Sequence, residues 1–275
     1  MIIQHNMSAI NTHRQLGVNT GNLSKNVEKL SSGYRINRAA DDAAGLSISE
    51  RMRAQIRGME QASRNSQDGI SLIQVAEGAL QTVNNMLVRI KEIATQSANG
   101  TYEEATDRVR LQEELTELTA EVTNIKGNTK FNGISLLDNT AANNKITLQI
   151  GQEAAQKLDL DTTKFDITAV ETAVKSWKIN TQADAQTTLA AVEAQINAVS
   201  AARSYLGANQ NRLENTINNL NITAENLTAA ESRIRDVDMA KEQMQFTKNN
   251  ILTQASQAML AQANQLPQGV LQLLR

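Results

Sequence analysis

Residues 29–62 read KLSSGYRINRAADDAAGLSISERMRAQIRGMEQA, and the rest of the chain is organised around this stretch. It joins a short amphipathic segment to a very long one through a polar elbow. Gly33 suits the left-handed conformation that ends a helix. Asp41 and Asp42 offer a side-chain cap and a negative charge at the start of the next helix. The stretch therefore predicts two helices that an ordered elbow holds in a fixed relation.

The composition predicts long helices rather than a compact core. Aromatic residues are 3% of the 275-residue chain, and there is one proline. A chain of this kind, rich in alanine, glutamine, glutamate, leucine and arginine, is typical of long helices. The 27 basic and 29 acidic residues nearly balance, so neither nucleic acid nor an anionic membrane is an expected partner. Because there is no cysteine, neither a disulfide nor a thiolate metal site is possible.

No segment of the sequence has the pattern of a membrane element. The first twenty residues lack the apolar run of a cleavable secretion signal. No later stretch is long and apolar enough to span a bilayer. We therefore expect no membrane insertion, and we expect any export to use a route that needs no such signal.

Apolar residues at steps of four and three predict two long helices. After the elbow the steps run to about Gln96 with one phase slip. The positions of this seam are Met52, Ile56, Met59, Ser63, Ser66, Ile70, Ile73, Ala76, Leu80, Val83, Leu87, Ile90 and Ala94. From Ala185 to Ile234 the same steps continue without a slip. The polar exceptions in this second seam share one of its two positions, where polar residues fix register; they are Arg203, Gln210 and Glu231.

A shorter helix, through Leu111, Leu115 and Val122, and a β-hairpin lie between the two long helices in the sequence. Thr101 and Glu104 form a capping box that predicts the start of this shorter helix, and Ser47 with Glu50 repeat the same spacing one turn after Asp41 and Asp42. Residues 146–150 and 158–160 alternate apolar and polar side chains, which predicts one hairpin that must lie on the helices to be stable. No element is assigned to residues 161–181.

Both ends of the chain are predicted to be amphipathic helices. Their apolar marks include Met7, Ile10, Leu23, Val27, Leu30, Met244 and Ile251. The two long helices match in length, about 80 Å and about 75 Å at about 1.5 Å per residue, so an antiparallel arrangement brings the two ends together. The predicted fold is mainly α: a long antiparallel helical rod or coiled-coil bundle with one small β-hairpin and paired terminal helices. Two paired terminal helices still leave apolar flanks bare, which favours association with further copies of the chain.

Four segments of the chain resemble the terminal signatures of bacterial flagellins. Near the start these are LSSGYRINRAADDAAGLSISERMRAQIRG (30–58) and ASRNSQDGISLIQVAEGAL (62–80). Near the end it is RIRDVDMAKEQMQFTKNNILTQASQAMLAQANQLPQGVLQLLR (233–275), and GNTKFNGISLLD (127–138) resembles the lead into the family's hairpin. The resemblance covers about residues 1–140 and 180–275.

The resemblance implies a structural subunit that self-assembles into the filament for swimming motility. It implies export, unfolded, through the flagellar type III export apparatus, with an extracellular filament as the destination. The implied partners are the chain itself, the hook-associated junction and cap proteins, a flagellin export chaperone, and the flagellin-sensing Toll-like receptor of a host. The terminal helices would form an inner tube, and they are typically disordered before assembly.

Five segments are expected from this resemblance. Residues 1–42 would form the N-terminal inner-tube helix and elbow, and 43–140 the N-terminal part of the helical rod. Residues 141–181 would hold the hairpin and a short central region, so outer domains are absent or reduced. Residues 182–234 would complete the rod, and 235–275 would form the C-terminal inner-tube helix.

The stretch LVRIKEIATQ (87–96) is similar to the flagellin segment that the Toll-like receptor recognises. The matching residues are Arg89 and Ile93, with Glu114 on the neighbouring helix. Spacing alone favours a solvated arginine beside a partly covered apolar edge. The resemblance implies a contact between subunits first and an immune epitope second.

Two further sets of residues are candidate contacts. The elbow residues Arg35, Arg38, Asp41 and Asp42 either cap helix ends or, as the resemblance implies, set register between the inner and outer layers. The tail residues Leu271, Leu273 and Leu274 either form a frayed end or, as in the family, bind the export chaperone and a cytosolic host sensor.

Nothing in the sequence predicts an enzyme. His5 and His13 have no nearby acidic partner, and no phosphate loop or nucleophile elbow occurs. We expect no catalytic residues, cofactor or metal. Two other functions are weighed against the filament subunit: the junction protein between hook and filament, and a soluble coiled-coil adaptor that binds another protein.

Overall fold

The computed structural model describes residues 6–104, 106–138 and 145–273, and it is mainly α, as the sequence predicts. The helices are α1 (Met7–Ser32), α2 (Ala43–Ser97), α3 (Asp107–Asn128), α4 (Thr168–Ser176), α5 (Gln182–Arg235) and α6 (Met239–Leu273). The strands are β1 (Lys130–Phe131), β2 (Ile134–Ser135), β3 (Lys145–Gln149) and β4 (Lys157–Asp161), and a 3₁₀ turn covers Thr162–Lys164.

The chain forms two compact units. The described residues of Met1–Ile56 and Glu225–Arg275 form one, here called the terminal unit. Arg57–Ala224 form the other, here called the central unit. Helices α2 and α5 contribute residues to both units.

The core of the central unit follows the two predicted seams. On α2, the run Ala76, Leu80, Val83, Leu87, Ile90 and Ala94 is fully buried. On α5, residues at intervals of seven are buried: Ala185, Val192, Val199, Leu206 and Leu213. Leu115 and Val122 of α3 join the same core. The periodicity thus identified the buried row of α2 and one of the two seam positions of α5. At the other position, predicted to include Arg203 and Gln210, these residues are only partly buried, and Ala202 and Asn209 are buried instead.

The predicted hairpin is β3 paired antiparallel with β4, and Ile146 lies opposite Leu160 in its register. Its apolar face packs on α2. A Cβ added at Gly69 of α2 would lie 2.5 Å from Leu148 Cδ1, so the glycine leaves room for the strand. A second, unpredicted ladder joins β1 to β2 through a turn at Asn132 and Gly133, both with positive φ.

The segment that the sequence left unassigned contains α4 and an extended stretch after it. Side chains from three helices bind the backbone of this stretch at Ile179 and its neighbour. Ser97 Oγ donates to the Ile179 carbonyl at 2.6 Å, and Gln112 Oε1 accepts from the Ile179 N–H at 2.8 Å. Thr188 Oγ1 donates to the carbonyl of Lys178 at 2.9 Å. These bonds anchor the stretch despite its lack of periodicity.

The predicted side-chain cap at Asp42 is confirmed, whereas the capping box predicted at Thr101 with Glu104 is wrong. Helix α2 begins at Ala43, where Asp42 Oδ1 accepts from the N–H of Gly45 at 2.8 Å. Ser47 is already inside the helix, because Asp42 supplies the cap one turn earlier. Helix α3 begins at Asp107 rather than after Thr101. The physical reason is that Glu104 pairs with Arg108 at 2.9 Å instead of capping a helix.

Candidate functional site

Helices α1 and α6 pair in the terminal unit along a seam in which polar and apolar residues alternate. The least exposed positions of α1 follow steps of four and three: Thr12, Leu16, Asn19, Leu23, Asn26 and Leu30. One heptad position therefore carries threonine or asparagine, and the other carries leucine. The matching positions of α6 are Glu242, Phe246, Asn249, Thr253, Ser256, Leu260 and Ala263. The seam is half polar, which the sequence reading did not predict.

The buried amides of this seam bind across it. Asn19 is 5% exposed, and its Nδ2 donates to Ser256 Oγ at 2.9 Å. Asn26 is 7% exposed; in the amide orientation that satisfies both its ends, its oxygen accepts from Asn249 Nδ2 at 3.2 Å. At the far end, Asn6 Nδ2 donates to the carbonyl of Ala263 at 2.7 Å. The hydrogen bonds run antiparallel along both helices.

Large apolar side chains of α1 and α6 lie outside the seam, in solvent. On α1 these are Met7, Ile10, Val18 and Val27. On α6 they are Met239, Met244, Ile251, Leu252 and Met259, exposed by 40% to 68%. The predicted apolar marks therefore divide: Leu23 and Leu30 line the seam, whereas Met7, Ile10 and Val27 do not. Pairing leaves apolar flanks bare, as the sequence predicted.

The elbow is tied to the start of α6 by a short backbone ladder. The N–H of Arg35 donates to the carbonyl of Arg235 at 2.7 Å, and the N–H of Val237 donates to the carbonyl of Gly33 at 3.0 Å. Between them, the guanidinium carbon of Arg235 lies 4.7 Å from the centre of the Tyr34 ring, a cation–π contact. The sequence predicted that the two ends of the chain lie at one level, but it did not predict the contact between Tyr34 and Arg235.

Each of the four predicted elbow residues is bound within its own chain. Arg35 donates a guanidinium hydrogen bond to the Ile234 carbonyl, and Arg38 forms an ion pair with Glu28 at 2.9 Å. Asp41 Oδ2 accepts from the N–H of Arg38 at 3.0 Å and from a neighbouring N–H. These backbone bonds lower the pKa of Asp41. Asp42 caps α2, so all four residues order the elbow.

The second predicted surface lies on α2 and α3. Arg89 pairs with Glu114 at 2.8 Å and with Glu92 at 3.0 Å, and about half of its side chain is exposed. The hydrogen bonds from Arg89 to the two carboxylates, chiefly to Glu114, raise the pKa of the arginine. Ile93 does not share this surface: it is fully buried. Residues of both α3 and α5 join the core that covers α2 here, so Ile93 is not on the surface of the chain in this conformation. Its predicted contact with another molecule stays a prediction.

Two predicted features fall at the edges of the described residues. Leu274 lies outside them, as does His5. Leu271 and Leu273 lie in the last turn of α6, and the structure describes their backbone alone.

The described part of the chain has no group of three or more metal-ligating side chains. Within residues 6–104, 106–138 and 145–273, no helix combines the length and apolarity needed to cross a bilayer.

Known proteins match this chain over its whole length. The model of the bacterial flagellin N-terminal helical region matches residues 3–142, and that of the C-terminal helical region matches residues 189–274. A flagellin of Halalkalibacterium halodurans is 58% identical over 275 residues, and one of Bacillus subtilis is 53% identical over 312; both matches cover 100% of each chain. The crystal structure of Bacillus cereus flagellin matches with a TM-score of 0.51 and 32% identity, covering 61% of this chain and 94% of that one. The chain belongs to the bacterial flagellin family.

Proposed function

We propose that this chain is a structural subunit of the bacterial flagellar filament and that its terminal helices become ordered as it assembles. One observation carries the proposal: α1 and α6 turn asparagines toward each other and leave large apolar side chains such as Met244 (68% exposed) and Ile10 (55% exposed) in solvent. Isolated helices of this kind lack a partner for their apolar faces. Other copies of the chain supply that partner in a filament.

The energetics favour folding coupled to assembly. Fixing a residue's backbone costs about 1–2 kcal/mol in conformational entropy. Burying a leucine, isoleucine or methionine side chain returns about 1.5–3 kcal/mol. In a lone chain the half-polar seam supplies few such side chains, so the balance is unfavourable for α1 and α6. Packing the outer faces on neighbouring copies adds the missing burial.

Limited trypsin digestion tests this coupling. Basic residues lie along both terminal helices, at Arg14, Lys25, Lys29, Lys241 and Lys248. We expect rapid cleavage at these sites in the monomer and protection in the filament. Cleavage at Arg110 of α3, whose side chain is 80% exposed, serves as the reference for the central unit. Equal protection of the ends in both states would show that the terminal helices fold without assembly.

Seeded growth separates the filament subunit from the other two functions. Fragments of filament are added as seeds to the purified chain, and the length of the product is measured by electron microscopy. A filament subunit elongates the seeds into long filaments. A junction protein between hook and filament stops after a short addition, and a soluble coiled-coil adaptor does not elongate them.

The Arg89–Glu114 pair is proposed as a contact between subunits in the filament. Its support is an ordered pair of opposite charges on a solvent-facing surface. Arg89 lies within the stretch 87–96 that resembles the receptor-binding segment, and Glu114 lies on the neighbouring helix. The variant Arg89→Glu should slow seeded elongation while the monomer stays folded, because an exposed pair adds little to stability. If adding Glu114→Arg to the Arg89→Glu chain restores the rate of elongation, the ion pair acts within one chain. That result would contradict the proposed contact between subunits.

Recognition of the same surface by the Toll-like receptor of a host is proposed as a second role. The measurement is binding of the purified receptor ectodomain to monomer and to Arg89→Glu. Equal binding by the two proteins would remove Arg89 from the epitope.

The elbow is proposed to contact neighbouring subunits through Arg35 and Arg38 while Asp41 and Asp42 keep it ordered. We expect Arg38→Glu to slow elongation. Arg38→Ala separates two causes, since it removes the Glu28 ion pair without adding negative charge. If wild type and Arg38→Glu elongate at the same rate, Arg38 does not contact a neighbouring subunit and acts only within its own chain.

We propose further partners outside the filament, which the resemblance to flagellins implies: the flagellar type III export apparatus, an export chaperone, the hook-associated junction and cap proteins, and a cytosolic host sensor. We also propose that the chain is secreted to the cell exterior by that route. We propose that Leu271, Leu273 and Leu274 bind the chaperone. A chain shortened by residues 271–275 should lose chaperone binding in a pull-down while keeping the folded central unit.

A further inference from the structure

The buried amides of the terminal unit fall on a single heptad position. Asn19 and Asn26 are seven residues apart on α1, and Asn249 and Ser256 are seven apart on α6. In the antiparallel pair Asn26 meets Asn249 and Asn19 meets Ser256. The two pairs are thus separated by seven residues on each helix, in opposite chain directions, as an antiparallel arrangement requires.

These side chains are unfavourable choices for stability alone. Leucine at the same positions would bury more apolar surface, and leucine already fills the alternate position of α1 at Leu16, Leu23 and Leu30. A buried amide is tolerated only while its hydrogen bonds are satisfied. In coiled coils a polar residue at a seam position fixes the partner and the register at some expense of stability.

The elbow already sets the level at which α1 and α6 meet, through the ladder from Arg35 to Arg235. What remains open is which face of each helix turns toward the other. Helix α1 has a second, apolar face on the side away from the seam, with Met7, Ile10 and Val18. A purely hydrophobic choice would not exclude that face from the seam.

We propose that Asn19, Asn26, Asn249 and Ser256 are specificity-determining residues of assembly. They make the polar face of α1 pair with the polar face of α6 within one chain. Pairing with an apolar face instead would leave buried amides without hydrogen bonds. The apolar outer faces of both helices therefore remain available to bind other copies of the chain. This role rests on the proposed function as a filament subunit.

An exchange of partners provides the matched test. The double variant Asn19→Ser with Ser256→Asn keeps the composition of the chain and can re-form the hydrogen bond in the opposite direction. The double variant Asn19→Leu with Ser256→Leu removes the bond and makes this part of the seam apolar. Both are compared with wild type for seeded elongation and, without seeds, for oligomer formation by sedimentation velocity.

The exchanged pair should elongate wild-type seeds at the wild-type rate. The leucine pair should elongate them about tenfold more slowly, the factor that corresponds to a loss of about 1.4 kcal/mol in the discrimination between the two faces of the helix. Without seeds it should form oligomers that wild type does not form. The proposal is overturned if the leucine pair matches wild type in both measurements, or if the exchanged pair behaves like the leucine pair.

The same assays distinguish this inference from the proposed function. Wild-type chain that fails to elongate filament seeds overturns the proposed function. Sedimentation without seeds still decides the role of the polar pair in that case, because it reports partner choice by the terminal helices directly. Identical sedimentation of wild type and the leucine pair would then overturn the inference.

Discussion

The guanidinium of Arg108 donates from Nε to the carbonyl oxygen of Ser97 at 3.1 Å. Ser97 is the last residue of α2, so the arginine satisfies a carbonyl that the end of the helix leaves without an intrahelical partner. A second nitrogen of Arg108 donates to the carbonyl of Asn99 at 3.2 Å, and the whole residue is 3% exposed. A cation from the first turn of α3 thus caps α2, where the helix dipole favours positive charge.

Replacement of Arg108 by methionine should destabilise the central unit. The change keeps much of the buried volume but leaves the carbonyls of Ser97 and Asn99 without these donors. We expect the free energy of unfolding to fall by about 2–4 kcal/mol. Urea unfolding followed by fluorescence measures it, since Trp177 is the one tryptophan of the chain and is buried in this unit.

Arg110→Met is the matched control for that change. Arg110 also pairs with a glutamate, Glu113, but its side chain is 80% exposed. Its loss should change the free energy of unfolding by no more than about 0.5 kcal/mol. Equal losses for the two variants would contradict the capping role of Arg108.

Two glycines of α2 should respond in opposite directions to alanine. At Gly78 an added Cβ meets nothing within 4 Å, so Gly78→Ala should raise the free energy of unfolding by about 0.5–1 kcal/mol through helix propensity. At Gly69 the Cβ would lie 2.5 Å from Leu148 Cδ1 and 3.4 Å from Leu213 Cδ1. Gly69→Ala should therefore lower the free energy of unfolding by about 1–3 kcal/mol.

The same fluorescence assay compares the two alanine variants. If both Gly78→Ala and Gly69→Ala raise the free energy of unfolding, Leu148 of the hairpin does not pack closely against Gly69. Because Gly78→Ala lies on the same helix and in the same unit, it corrects for the intrinsic preference of alanine.

Periodicity predicted the long seams because each is a continuous row of apolar residues, such as Leu80, Val83 and Leu87. Spacing placed Ile93 on a partly covered apolar edge, whereas it is fully buried, because residues of two other helices share the core with α2. Arg89 and Ile93 are four residues apart on α2, but they differ in solvent exposure: about half of the Arg89 side chain is exposed, whereas Ile93 is buried.

The terminal seam was missed for a different reason. A search for apolar residues gives Met7, Ile10 and Val27 the same weight as Leu23 and Leu30, so it cannot tell an outer face from a seam. Leucine at intervals of seven, with asparagine at the alternate position, carried the signal. The stretch around Ile179 could not be predicted, because hydrogen bonds from Ser97, Gln112 and Thr188 decide its path.

Acid should weaken the contact between α3 and α4. Lys126 of α3 donates to the carboxylate of Glu171 on α4 at 2.8 Å, and Lys175 donates to the same carboxylate. These bonds, that from Lys126 first, lower the pKa of Glu171. A lowered folded-state pKa means that the stabilisation is complete above the unfolded value of about 4.3 and is lost as the pH falls through the folded value.

The measurement is urea unfolding of the central unit at several pH values below about 5. Wild type should lose stability more steeply than Glu171→Gln as the pH falls. Glu113→Gln, at a carboxylate that is 59% exposed, should follow the wild-type curve. Parallel curves for wild type and Glu171→Gln would exclude Glu171 as the titrating group.

The Tyr34–Arg235 contact should matter in the assembled state. Two guanidinium nitrogens of Arg235, Nε and Nη1, are buried and find no hydrogen-bond partner within the described residues, and the guanidinium carbon lies 4.7 Å from the Tyr34 ring centre. The ring face therefore offsets part of the desolvation of the cation. Phenylalanine at position 34 keeps that ring face, whereas leucine removes it.

We expect Tyr34→Phe to match wild type and Tyr34→Leu to weaken the terminal unit by about 0.5–2 kcal/mol. The subunit concentration that remains in equilibrium with filaments reports this difference, and it should rise about twofold to thirtyfold for the leucine variant alone. The backbone bridge between Tyr34 and Asp236 does not depend on the side chain, so both variants retain it. If phenylalanine raises the residual concentration as much as leucine does, the phenol hydroxyl rather than the ring face holds the elbow to the start of α6.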